Sequence, residues 1–165
     1  MFDRFFWKTF VQAVAFTLVA SNVVAAAEMQ SDHRVETGSY QQVGGINFYY
    51  GVLPAQIAGK HPVTHEERTM HGGVPPGKDQ YHLVVALYDA SGKRITDAVV
   101  TAAVGDLGMA STRKNLEPMR IAETTSFGNY FTLRKGVIYR IAIEVRRQGM
   151  HGSKPIEALF DYRIQ

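Results

Sequence analysis

The chain has 165 residues, 18 Lys and Arg against 15 Asp and Glu for a net charge of +3, and no cysteine. Charge this balanced and scattered gives no footprint for nucleic acid or an anionic membrane, and Arg146-Arg147 reads as a solvated strand end. The missing thiols exclude disulfides, a lipid-modified cysteine and thiolate metal centres, and a chain of this length can bury a core without such staples.

The first 27 residues read as an export signal. Arg4 and Lys8 give a basic start. Phe10 to Ala20 is an apolar run broken only by Gln12 and Thr17, and the small residues Val24-Ala25-Ala26-Ala27 stand before Glu28. This order of basic, apolar and small-residue regions predicts a helical signal peptide over 1–27, cleaved to release a periplasmic product that is not membrane-embedded. The competing reading is a retained anchor. It needs the whole stretch from Phe10 to Ala27, which is barely long enough to span and carries Gln12, Ser21 and Asn22. Export removes the protein from the nucleotide and nicotinamide pools and so argues against much intracellular enzyme chemistry.

Residues 28–45 are polar, end in Gly44-Gly45, and read as a flexible leader to a domain over 46–165. Ile46 to Val52 (INFYYGV) predicts a first strand, and Pro54 to Ala58 allows a short helix. Leu53 to Gln80 follows neither the helical nor the strand period. So long an irregular stretch inside a domain is often functional. Tyr81 to Asp89 places Leu83, Val85 and Leu87 on one face and His82, Val84, Ala86 and Tyr88 on the other, both largely apolar, as in a central strand. Asp89 to Lys93 predicts a turn with Gly92 at positive φ, and Asp97 to Val104 the returning strand. Gly105 to Pro118 reads as irregular and Met119 to Thr124 as a short strand. Ser126 to Asn129 reads as a turn, with Tyr130 to Leu133 as its partner strand. Gly136 to Arg146 and Ile156 to Ile164 complete the set. No helical stripe persists over three turns. The prediction is an all-β, immunoglobulin-like antiparallel β-sandwich following the signal helix.

Catalytic motifs are missing: there is no G-x-S-x-G elbow, H-E-x-x-H, phosphate loop or glycine-rich nucleotide fingerprint. His65-Glu66-Glu67 lacks the second histidine four residues after the first. The expectation is therefore a binding protein and not an enzyme. What remains is histidine and methionine. All six histidines lie beyond Ala27, and four fall between His61 and His82. Met70-His71-Gly72 recurs as Met150-His151-Gly152, and Met109 and Met119 flank the second irregular stretch. Imidazole and thioether suit copper, the thioether favouring the cuprous ion. The loop–strand pair His71 and His82 is the first candidate, with Met119 or Met109 completing a soft shell and Met70 in reserve. The plainer readings are solvated loop histidines, a hydrogen-bonded His82 and a space-filling Met119.

The run HLVVALYDASGKRITDAVVTAAV (82–104), with LEPM at 116–119, GNYF at 128–131 and GVIYRIAIEV at 136–145, resembles the periplasmic YtkA-like and FixH-like domains, and more loosely carriers of the CopC type. The shared pattern is D-x-x-G-x-x-I-x-D-A-x-V, here Asp89 to Val100, followed by a methionine-bearing loop. The resemblance covers Tyr81 to Arg146. It implies an immunoglobulin-like sandwich and a link to copper handling or the assembly of copper enzymes, and it carries over Met109 and Met119 as metal ligands. The methionine loop is reduced here to Met109, and the histidine segment before Tyr81 has no counterpart. The functional expectation is an exported carrier, store or sensor of a metal ion, copper foremost, with a membrane transporter or metalloenzyme as a possible partner. The alternative is a metal-free interaction module or accessory subunit of a transporter or respiratory complex, docking through aromatics drawn from Tyr49, Tyr50, Phe127, Tyr130 and Phe131.

Overall fold

The computed structural model describes residues 36–58, 60, 70–121, 123–147 and 154–164. The expected signal peptide, His33, His61, His65 and the second Met-His-Gly at 150–152 lie outside these residues. Among the described residues nine strands carry the fold: β1 (Glu36–Thr37), β2 (Tyr40–Val43), β3 (Ile46–Pro54), β4 (Gln80–Asp89), β5 (Ala98–Asp106), β6 (Thr112–Ile121), β7 (Thr124–Thr132), β8 (Ile138–Arg147) and β9 (Ile156–Arg163). A four-residue helix α1 (Ala55–Ala58) and a 3₁₀ turn (Met70–Gly72) lie between β3 and β4. No helix among the described residues is long and apolar enough to cross a membrane.

The strands are hydrogen-bonded in the order β1-β2-β3-β4-β7-β6-β5-β8-β9, every pair antiparallel. Strand β6 belongs to both layers of the sandwich. Its first half, to Leu116, pairs with β5, and its second half, from Glu117, pairs with β7. On the opposite side the layers meet through a side chain. Gln41 of β2 is buried, and its Oε1 accepts a hydrogen bond of 2.9 Å from the Leu159 amide of β9. Tyr50 of β3 packs its ring 4.6 Å from that of Phe160 on β9. The result is a nearly closed all-β sandwich, as the strand pattern predicts.

Strand alternation builds the core. Tyr81, Leu83, Val85 and Leu87 of β4 turn inward against Phe48 of β3, Val100 and Ala102 of β5, Phe127 and Phe131 of β7, Ile141 and Ile143 of β8 and Phe160 of β9. Each such side chain contributes on the order of 2 kcal/mol by leaving water. The intervening residues His82, Val84, Ala86 and Tyr88 then necessarily lie on the outer face of the sheet, because a strand sends successive side chains to opposite faces.

Three segments differ from the sequence expectation. The strands reach back into the expected leader: Gly44 and Gly45 have φ of 54° and 75° and join Val43 to Ile46 as a two-residue hairpin turn, the geometry that favours glycine pairs. The stretch after Asp106 is irregular only to Ser111 and then forms β6, whose polar residues Arg113, Lys114, Asn115 and Glu117 are exposed and hide its period. Ser126 to Asn129 is not a turn but the middle of β7.

Candidate metal centre

The candidate site lies on the outer face of the β4–β7–β6 layer, beneath the 3₁₀ turn. Register places its parts. His82 of β4 is opposite Tyr130 of β7, and Val84 is opposite Gly128. Gly128 is also opposite Glu117 of β6, and Ser126 is opposite Met119. His82, Tyr130, Gly128, Glu117 and Met119 therefore share one face of three adjacent strands. The His82 ring stacks on Tyr130 at 4.6 Å between centroids. A carbon built at the β position of Gly128 would fall 2.7 Å from both His82 Nε2 and Met119 Cε, so nitrogen and methyl border the same small space.

The turn brings His71 onto this cluster. Its ring centroid is 5.5 Å from that of His82 and 5.7 Å from that of Tyr130. Its side chain is 2% exposed, although its backbone runs along the surface. His71 has φ 59° and ψ 25°, and among the described residues it is the one non-glycine with positive φ. That left-handed geometry costs free energy in an L-residue, and such outliers concentrate at functional sites. Gly72 and Gly73, both at positive φ, continue the turn.

Glu117 closes the rim. Its Oε2 lies 3.0 Å from His71 Nδ1, at ion-pair distance, and its carboxylate is half exposed. Both ring nitrogens of His82 and Nε2 of His71 have no hydrogen-bond partner among the described residues, and Nδ1 of His71 faces the Glu117 carboxylate. A buried polar group left unsatisfied costs about 1–3 kcal/mol, so two such imidazoles side by side require an explanation beyond packing. Burial holds both in the neutral form that ligates metals. His82 is pushed down to about 4 by desolvation first and then by the charge of His71. His71 is lowered chiefly by desolvation, with Lys114 adding to the shift and the Glu117 carboxylate opposing it.

The structure thus brings together His71, His82 and Met119. Met119 is 1% exposed, but it belongs to this outer cluster and not to the central core. Met109 is 74% exposed in the turn between β5 and β6. From Thr112 to Met119 the strand alone advances roughly 23 Å at 3.3 Å per residue, so Met109 stands well away from the cluster. Met70 is half-buried beside His71, with no described contact to the other donors. No group of three or more His, Asp or Glu side chains suited to a metal ion gathers among the described residues; the third donor beside the two imidazoles is a thioether. Neither Glu117 nor Tyr130 is among the metal-site residues expected from sequence, where Tyr130 figures only as a docking aromatic. Reading LEPM as strand would have placed Glu117 on the face of Met119, two residues away.

No protein-family profile matches the chain, and no curated protein matches it by sequence. Solved structures match by fold. A DUF4426 family protein from Pseudomonas aeruginosa PAO1 is 20% identical, with a TM-score of 0.54 over 76% of this chain and 92% of that one. FetP from uropathogenic Escherichia coli, in its as-isolated form, is 14% identical, with a TM-score of 0.58 over 79% and 95%. The copper-reconstituted P19 protein of Campylobacter jejuni is 12% identical, with a TM-score of 0.54 over 78% and 94%. At identities this low the likeness establishes the fold.

Proposed function

We propose that this chain is an exported protein that binds one soft metal ion, copper foremost, between the His71 turn and the His82–Met119 face, and that it carries, stores or senses that ion. The carrying observation is the pair of buried imidazoles, His82 with neither nitrogen partnered and His71 paired only with Glu117, beside a buried thioether. That donor set fits copper: two neutral imidazoles and one thioether are soft ligands, and the thioether selects for the cuprous state. Glu117 at the rim would supply a carboxylate or hold the turn. The resemblance to YtkA-like and FixH-like domains and the shared fold with copper-loaded P19 support copper as the ion and the periplasm as the compartment. The role is binding and not catalysis, and a membrane transporter or metalloenzyme is the partner class such a carrier would serve.

Calorimetry on the protein cleaved after Ala27 should show copper bound at about one equivalent, as the ligand count implies. It should show no binding in the His71→Ala/His82→Ala variant. A variant that retains wild-type affinity would place the metal elsewhere.

One observation favours the second reading, a metal-free docking module. Tyr40, Tyr49 and Tyr88 form an aromatic row at centroid distances of 4.7 and 5.6 Å, with Tyr49 44% exposed. The other aromatics considered for docking, Tyr50, Phe127, Tyr130 and Phe131, are buried, which confines such a surface to Tyr49 and its neighbours.

A further inference from the structure

Glycine in the middle of a strand is unfavourable, since it loses the most conformational entropy and packs no side chain. Gly128 occupies such a position. It is buried, at the centre of β7, paired with Val84 on one side and Glu117 on the other. Its φ is not in the left-handed region, so the backbone does not require glycine. The reason lies in the space above its α-carbon. A β-carbon there would meet His82 Nε2 and Met119 Cε, each at 2.7 Å, and the Leu83 carbonyl oxygen at 3.1 Å. Contacts under 3 Å force atoms to move. Two other glycines of ordinary φ give contrasts. At Gly51 on β3 a β-carbon would meet nothing within 4 Å, and at Gly105 it would meet the backbone of Ser111 and Ala110. Among these three, Gly128 is the one whose missing side chain is matched to two of the proposed ligands.

We propose that Gly128 is a positioning residue of the metal centre. By leaving its β position empty, it lets the His82 imidazole and the Met119 thioether converge on one space from strands on either side of β7. This inference rests on the copper reading above and deepens it. Any larger side chain at 128 would displace His82 Nε2 or the Met119 methyl, and with that methyl the thioether.

The variant Gly128→Ala tests this, with Gly51→Ala as the control of identical chemistry on the same face. Gly128→Ala should lower copper(I) affinity by about 10–100-fold, the range reached by residues that orient ligands without binding the ion. Gly51→Ala should leave affinity unchanged. In the metal-free protein, Gly128→Ala should lower the melting temperature, and it should do so by less in a Met119→Ala background, where the methyl it strikes is gone. A measurement without any variant guards against a misfolded Gly128→Ala. In methyl-labelled wild-type protein titrated with silver(I), the Met119 methyl and Gly128 α-proton resonances should shift together. Wild-type binding with Gly128→Ala affinity unchanged, or a Met119 shift with Gly128 unmoved, overturns the positioning role and leaves the copper reading intact. Failure of the wild type to bind overturns both.

Discussion

His82 is an imidazole set into a strand where the alternation calls for an outward residue, then covered by Tyr130, Met119 and the His71 turn. Its folded-state pKa, pushed down to about 4 from 6.5, has a consequence for the apoprotein. Between those values the unfolded chain binds a proton that the folded chain refuses. Stability is therefore full above pH 6.5 and falls as the pH drops toward 4, by on the order of 3 kcal/mol at about 1.4 kcal/mol per pH unit. Denaturant titrations of metal-free protein at pH 7 and 4.5 should show that loss. His82→Phe, which keeps a ring against Tyr130, should lessen that loss and leave the part due to His71, and an equally steep variant would contradict the assignment. Met119 permits a cleaner separation of packing from ligation. Met119→Leu nearly conserves volume and should change stability by less than about 1.5 kcal/mol. Because it removes the sulfur, copper(I) affinity measured against a chelator should fall by more than about 10-fold, the lower edge of what outer-shell changes cost. An unchanged affinity would make Met119 a packing residue only.

At the scale of elements, what could be read from sequence followed the strength of the period. Tyr81 to Asp89 and Gly136 to Arg146 alternate over many residues, and β4 and β8 form there, with His82 on the face opposite Leu83, Val85 and Leu87 as read. The Asp89 turn also forms, its carboxylate accepting from the Ser91 and Lys93 amides at 2.9 and 3.0 Å. Strand β6 was hidden because it crosses between layers: Leu116 is buried toward the core and Met119 on the other face, so no single alternation spans it. In β7, Gly128-Asn129 has the composition of a turn, but the glycine answers to side-chain crowding and not to a chain reversal. The β2 hairpin was missed for the opposite reason, a glycine pair taken for a linker when it was the turn itself. Of the site, the His71–His82 pairing and Met119 were legible from residue type. Glu117 was not, since its place depends on the unrecognised strand.

The seam between β2 and β9 gives a prediction at this scale. Gln41→Leu removes the acceptor for the Leu159 amide and leaves that group buried or forces the edges apart. It should cost about 1–3 kcal/mol in denaturant unfolding, with faster hydrogen exchange at Leu159. Unchanged exchange there would show that the layers close without it.

For the whole molecule, the closed sandwich explains why a site can be built on its outside. The central core, sealed by Phe48, Phe127 and Phe160, is complete without His82, Met119 or Tyr130, so the outer cluster can serve ligand geometry at little cost to the fold. The turn bearing His71 supplies the cover, and the half-exposed Glu117 carboxylate stands at its rim. The proposed copper site would draw on both: a fixed sheet face presenting His82 and Met119, and a peripheral turn presenting His71. The donor set itself can be read by spectroscopy. X-ray absorption at the copper edge of the loaded, wild-type protein should show a sulfur scatterer beside two imidazole nitrogens, and in Met119→Leu the sulfur should vanish. A copper shell of nitrogen and oxygen alone, or no copper retained through desalting, would contradict it.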